Sequence, residues 1–245
     1  MTSLSIEKYL RMHKLPHIWC PGCGDGTIVG AMLRAIQKTG LQKDNVVVVT
    51  GIGCSARTNA ILDFNTFQTT HGRALSFATG LKLARPDLTV FVVTGDGDGA
   101  GIGGNHLIHT ARRNIDIKTI LINNSTYGMT GGQYSPLTPL NAWATTAPYG
   151  MVEPSFDVCK LAEGAGASFV GRGTVYHVTQ LENLMGEIIN HKGFSLLEVI
   201  SQCPIGYGRR NNLRTPSAML KWQRDNAVNV QAALKMTPEQ MAGRF

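Results

Sequence analysis

No apolar run in this chain reaches the roughly 18 residues that a membrane-spanning helix needs. Its N-terminus, MTSLSIEKYLRMHKLPHIW, has neither an uninterrupted apolar core nor a small-residue cleavage site. No secretory leader is read there, and a cytoplasmic location is expected. Internal repeats and low-complexity linkers are missing as well, so the 245 residues suit one domain with a single large core. Basic residues do not alternate with aromatics in any recognition motif, which argues against a nucleic-acid partner. Cysteine is sparse, five residues in all, and only Cys20 and Cys23 form a close pair.

The net charge of +7 is uneven. Residues 204–245 carry seven Lys/Arg against Asp225 and Glu239, a balance of +5. Residues 1–24 add +2, and the body between is neutral. A basic tail of this kind steers an acidic protein partner or lies on another subunit.

Apolar, β-branched runs alternate with helical periodicity. Asn45–Gly53, Leu88–Gly95, Ile117–Asn123, Ser168–Val170 and Ser195–Ser201 read as strands, nearly continuous in Val, Ile and Leu. Such strands are covered on both faces. Helices are expected over Asp25–Thr39, Gly72–Ala84, Gly104–Arg113, Ser155–Gly164 and Val178–Asn190. The rhythm predicts an α/β fold, a mostly parallel sheet with helices on both faces. Tyr127–Tyr149 is long, irregular and rich in Gly, Pro and Thr, as functional loops are. Strand patterning stops at Pro204. The chain therefore divides into a body, residues 1–210, and a tail, 211–245, with a helix near Ser217–Leu234 and a surface suited to a partner.

Thr94–Thr130 is the richest stretch. One strand ends in Gly95-Asp96-Gly97-Asp98, a glycine turn opens a helix, and the next strand ends in Asn123-Asn124. Adjacent parallel strands deliver both ends to one sheet edge, where open α/β sheets bind ligands. Asp96 and Asn124 can thus meet. A carboxylate and an amide oxygen are hard ligands, suited to Mg²⁺ that completes its shell with phosphate oxygens and water. Glycines let backbone N–H groups approach a phosphate at a helix start. A metal-bound diphosphate is the expected ligand. A dinucleotide site would instead place its acidic residue at a later strand end.

The same topology gathers thiols. Cys54 follows one strand end and Cys203 follows the last strand, so both reach the carboxyl edge with Cys20 and Cys23. Cys159 sits on an amphipathic stretch and reads as a small core residue. Four thiolates suit a [4Fe–4S] cluster or structural zinc. One pair plus two distant singles favours iron–sulfur, since zinc sites come mostly as two short pairs. A redox-sensing or zinc module without catalysis stays open at this point, as does a non-oxidative decarboxylase subunit without a cluster.

GDG, 25 residues and then NN resembles the thiamin diphosphate fingerprint. The order WCPGCG, GIGCSAR, HGRALSFATGLKLARPDLTV, GDGD, NN, YGMTGGQ and a late CP resembles the β subunit of the 2-oxoacid:ferredoxin oxidoreductases, nearest to the 2-oxoglutarate branch. The resemblance spans roughly residues 17–210. It implies the diphosphate-binding half of a thiamin diphosphate fold, with Asp96, the Asn124 side chain and the Thr126 carbonyl holding Mg²⁺. Cys20, Cys23, Cys54 and Cys203 would carry one [4Fe–4S] cluster, since no cysteines remain for another. Ile52, Gly53, Ser55, His71, Gly72, Gly95, Gly97, Asp98, Tyr127, Gly128, Met129 and Thr130 would surround the cofactor. His71 and Arg57 are expected to act on substrate, Arg57 as the fork for the second carboxylate of 2-oxoglutarate; pyruvate or another 2-oxoacid is the alternative substrate. The family further implies coenzyme A as co-substrate, ferredoxin as electron acceptor, and an α subunit that supplies the activating Glu in an (αβ)₂ assembly.

Overall fold

The computed structural model describes residues 5–245. Six strands form one parallel sheet: β1 (Val46–Thr50), β2 (Asn65–Gln68), β3 (Thr89–Gly95), β4 (Lys118–Asn123), β5 (Phe169–Thr174) and β6 (Ser195–Ile200), in the order β2-β1-β3-β4-β6-β5. The α/β architecture expected from the alternating pattern is the one observed.

Strand side chains alternate between two cores. Val46, Val48, Phe91, Val93, Ile120, Ile122, Leu197 and Val199 face α1 (Asp25–Thr39) and α6 (Val178–Asn190). Val47, Val49, Val90, Val92, Leu121 and Leu196 face α3 (Ala74–Ala84), α4 (Gly104–Arg112) and α5 (Val158–Gly164). Phe91 is fully buried, and each such large side chain contributes about 1.5–3 kcal/mol. α1 stops at Gly40, whose φ of +71° is the left-handed conformation that ends helices cheaply in glycine.

Two differences from the sequence reading have simple causes. β2 was not anticipated, because Asn-Thr-Phe-Gln is short, polar and largely exposed at the sheet edge. The expected tail helix is broken into α7 (Pro216–Asn226) and α8 (Val230–Ala233), each with its own cap at Thr215 and Asn229. α7 lies on the body of this chain: Met219 and Gln223 are buried, and Gln223 meets Gln202 and the Tyr176 amide. Past Asn226, Val230 and Leu234 are exposed.

The order β2-β1-β3 puts a reversal of winding between β1 and β3. A crevice opens at the carboxyl ends of strands beside such a reversal. The segments after β1, β3 and β4 meet there, the first of them carrying the one-turn α2 (Thr58–Ile61).

Candidate active site

After β3 the chain makes a wide π-type turn, Asp96–Ile102, before α4 begins. Its glycines allow close packing: a Cβ on Gly97 would lie 2.2 Å from Tyr127 Cε1, and one on Gly101 2.6 Å from Tyr127 Oη. The Tyr127 hydroxyl donates to Gly97 O (3.3 Å), tying the glycine turn to the loop after β4. Ser125 takes a positive φ of 61° as that loop turns away from the strand.

These segments enclose a small cavity of about 100 Å³. Every residue expected around the cofactor lines it except Gly72, and Cys54 and Ile122 complete the wall. Gly72 lies just behind, with φ +71°; a Cβ there would sit 2.5 Å from Ile102 Cγ2.

The two aspartates of GDGD differ. Asp96 is buried and accepts from Gly97 N (2.9 Å) and Ser135 Oγ (2.6 Å). It has no cationic partner among the described residues, and burial pushes its carboxyl up to about 7. Asn124 lines the same space, its Oδ1 accepting from Thr126 N (3.3 Å). A buried carboxylate without a counter-ion beside an amide oxygen is a donor set that fits a hard divalent cation. Asp98 is saturated by four donors instead: Ile52 N, Gly72 N, Thr94 Oγ1 and His71 Nδ1.

The cysteine segments are bound to one another. Trp19 Nε1 donates to Cys54 O (2.8 Å), Gly24 N to Gln202 O (3.2 Å), and Gln202 Nε2 to Gly22 O (3.0 Å). A Cβ on Gly128 would lie 3.4 Å from Cys203 Sγ and 3.6 Å from Cys54 Sγ, so both sulfurs abut the loop that walls the cavity. Cys203 Sγ also accepts from Gly206 N (3.3 Å). Burial raises the Cys54 thiol to about 12, and the charges of Asp25, Cys203 and Cys20 add to it. Cys23 and Cys203 are raised for the same first reason, and Cys20 is exposed. All five cysteines are free. Among the described residues no three His, Cys, Asp or Glu side chains are close enough to hold a single ion. The thiols of Cys20, Cys23, Cys54 and Cys203 nevertheless act on one another electrostatically, so four soft donors gather at one place, a set that iron–sulfur or zinc can take.

Cys159 is apart from this group. Its thiol donates to Glu198 Oε2 (3.3 Å), and its charged neighbours are Glu198, Arg172 and Asp157. His106 and His109 of α4 line neither cavity nor thiol group.

Arg57 ends the short turn after Cys54 and makes no ion pair among the described residues. It lines an open cavity of about 540 Å³ that shares Ile52, Gly53 and Met129 with the smaller one. Arg11 lines it too, anchored to Asn59 O (3.3 Å). Three participants escaped the sequence reading. Arg11 and Ser135 lie in segments with no motif. Asp25 immediately follows WCPGCG, yet reads as an ordinary acidic residue at a helix start. Both Asp25 carboxylate oxygens are buried without a hydrogen-bond partner, and burial lifts the group to about 6.

Residues 50–199 match the family model "Thiamine pyrophosphate enzyme, C-terminal TPP binding domain". The chain is 50% identical over 238 residues to "2-oxoglutarate synthase subunit KorB" of Methanothermobacter marburgensis, covering 97% of this chain and 84% of that one. It is 42% identical to the "2-oxoacid:ferredoxin oxidoreductase subunit beta" of Saccharolobus solfataricus, covering 76% and 62%. Among solved structures, a 2-oxoglutarate:ferredoxin oxidoreductase from Magnetococcus marinus with 2-oxoglutarate, coenzyme A and succinyl-CoA bound superposes with a TM-score of 0.86 at 32% identity, covering 100% of this chain and 83% of that one. A switch-point crevice walled by GDGD and Asn124, these relatives and this superposition have one consistent meaning: the chain belongs to the β subunits of the 2-oxoacid:ferredoxin oxidoreductases.

Proposed function

We propose that this chain is the β subunit of a 2-oxoglutarate:ferredoxin oxidoreductase. The overall reaction joins 2-oxoglutarate and coenzyme A into succinyl-CoA with release of CO₂, the electrons passing singly to ferredoxin; strong reductant drives it backwards. The observation that carries this reading is the shared wall. Cys54 lines the Asp96/Asn124 cavity, and Gly128 lies between that cavity and the sulfurs of Cys54 and Cys203. In this reading a site for carbanion chemistry touches a site for one-electron transfer, a need that neither a zinc module nor a non-oxidative decarboxylase has.

In this reading Asp96, Asn124 and the Thr126 carbonyl hold Mg²⁺ and the diphosphate of thiamin diphosphate. When bound, that cofactor supplies the electron sink for decarboxylation, and a [4Fe–4S] cluster on Cys20, Cys23, Cys54 and Cys203 supplies the one-electron outlet. The chain's own residues hold, orient and exclude water. A cavity of about 100 Å³ is well below the ~300–1,000 Å³ of ordinary ligand pockets, which supports a site completed by an α subunit. An (αβ)₂ assembly in the cytoplasm goes with this, residues 211–245 forming the tail, whose exposed part past Asn226 grips the partner.

Arg57 selects the substrate by pairing with the second carboxylate of 2-oxoglutarate, a charge-assisted contact that pyruvate cannot make. The αβ complex is expected to turn over 2-oxoglutarate in preference to pyruvate, with coenzyme A and ferredoxin present. Arg57→Leu is expected to raise KM for 2-oxoglutarate on the order of 10–100-fold, the cost of losing a charged hydrogen bond, and to leave KM for pyruvate or 2-oxobutyrate nearly unchanged. Equal shifts for all three substrates would remove Arg57 from selection. A wild-type preference for pyruvate would overturn the substrate itself.

The electron acceptor offers a second check. Arg209, Arg210 and Arg214 are exposed shortly after Cys203, within the +5 segment. Exposed charges accelerate encounter with an acidic protein and are screened by salt. Ferredoxin reduction should slow on the order of tenfold between low and high ionic strength, while reduction of a neutral dye stays constant. Ferredoxin kinetics indifferent to salt would discard this docking role and leave the basic tail to the α subunit.

A further inference from the structure

His71 and Asp98 form a pair whose geometry goes beyond holding a loop. Asp98 is buried, and its carboxylate is fixed at four points: Ile52 N (3.2 Å) and Gly72 N (2.7 Å) on Oδ1, Thr94 Oγ1 (2.6 Å) on Oδ2, and His71 Nδ1 (2.5 Å) on Oδ1. These donors come from the loop after β1, the turn before α3, and β3 itself. The turn at His71 is closely packed: a Cβ on Gly72 would lie 2.5 Å from Ile102 Cγ2 and 2.9 Å from Gly103 N. The Tyr127 ring stands edge-on to the His71 ring, centroids 6.4 Å apart.

From this we infer that Asp98 is a positioning residue that fixes His71 in one tautomer, with Nε2 as a proton acceptor at the reaction cavity. Asp98 Oδ1 already accepts from two backbone N–H groups, so the Nδ1 that touches the same oxygen carries the hydrogen. In the neutral ring this leaves the Nε2 lone pair free. Nε2 has no hydrogen-bond partner among the described residues, and His71 lines the cavity beside Tyr127 and Gly97. Its natural partner is a weakly acidic S–H, the thiol of coenzyme A. The proton passes from S to Nε2, the sulfur keeps the bonding pair, and the imidazolium formed is paired with Asp98. The arrangement matches a histidine oriented by a carboxylate in general-base catalysis. It rests on reading the cavity as the reaction site.

Three variants of the αβ complex test it. In His71→Asn the amide overlays Nδ1 and keeps the bond to Asp98, but nothing stands in the place of Nε2. The expected result is a fall in kcat of about 100-fold or more, the usual scale of general base removal, with KM values and thiamin diphosphate affinity unchanged. Asp98→Asn keeps the shape and a side-chain oxygen to accept from the backbone amides but not the charge, and about a tenfold loss in kcat is expected, smaller than the full general-base contribution. Ring-nitrogen NMR of the complex labelled with ¹⁵N-histidine, assigned by the His71→Asn spectrum, should show Nδ1 protonated and Nε2 bare in the wild type. That bias should weaken in Asp98→Asn. His71→Leu, lacking both nitrogens, should match His71→Asn in kcat. Single turnover with a dye locates the step: loss confined to the reaction with coenzyme A is expected, and equal loss without coenzyme A overturns the thiol as the donor. Wild-type kcat in His71→Asn, or a wild-type ring protonated at Nε2, overturns the proposal. Failure of the underlying reading has another signature, namely Asp96→Ala that binds cofactor normally.

Discussion

Asp96→Ala is expected to abolish retention of Mg²⁺ and thiamin diphosphate while the chain stays folded. Asp96 is the one anionic protein ligand proposed for the metal, and its carboxylate is buried with Gly97 N and Ser135 Oγ among its donors. An ionised carboxylate in that setting costs several kcal/mol to desolvate, and in the absence of a cation burial lifts its titration to about 7. Deleting it therefore removes a liability from the apo chain as well as two hydrogen bonds, and apo stability should change by no more than about 1–2 kcal/mol. Ligand-induced stabilisation behaves differently. A cofactor present at about 1,000 times its Kd stabilises by about 4 kcal/mol, and a loss of affinity of about 100-fold or more would remove most of this. The check is the melting temperature of the αβ complex with and without Mg²⁺ and thiamin diphosphate. Asp96→Asn, which keeps the shape and the acceptor, should also lose most of the shift, and chelation of Mg²⁺ from the wild type should imitate both. If Asp96 served only as a helix cap, Ala would lower apo stability by about 1 kcal/mol and the cofactor shift would persist. That pattern would sink the metal assignment.

The framework of this site was legible because it depends on chain order and strand ends. Once β3 and β4 were read as adjacent parallel strands, Asp96 and Asn124 had to share an edge, and Cys54 and Cys203 had to join them. What stayed hidden depends on side-chain geometry. GDGD reads as two similar aspartates, yet Asp96 has two donors and an open flank while Asp98 is closed by four. Nothing in the sequence separates them, because three of the four donors to Asp98 come from Ile52, Gly72 and His71, 26 to 46 positions away. Ser135 and Arg11 are equally invisible: each reaches the site from a segment without periodicity. The edge strand β2 was lost to its polar composition, and the break after Asn226 to the absence of a proline or glycine there.

The cysteine assignment makes the sharpest prediction. Anaerobically purified αβ complex should be brown, with broad absorption near 400 nm and about four irons per β subunit, the composition of one [4Fe–4S] unit. Cys203→Ala should bleach the protein and lower its iron, because Cys203 is the only ligand proposed from the segment after β6, and it is buried with its sulfur held by Gly206 N. Cys20→Ala, Cys23→Ala and Cys54→Ala should do the same. Cys159→Ala should leave colour and iron intact, since its thiol is engaged with Glu198 on the far side of the core, and should cost only the ~1 kcal/mol of one hydrogen bond. Electron transfer to ferredoxin should vanish in the bleached variants. Binding of Mg²⁺ and thiamin diphosphate, proposed for Asp96 and Asn124, should survive in Cys203→Ala, giving a variant that holds cofactor but passes no electrons. Rival readings have other signatures. A colourless protein with one zinc per chain would indicate a structural site, and a colourless protein without metal on its thiols would indicate decarboxylation without an electron outlet. Undiminished iron in Cys203→Ala would show that the fourth ligand lies elsewhere, leaving Cys20, Cys23 and Cys54 to be completed by a donor from outside the segment after β6.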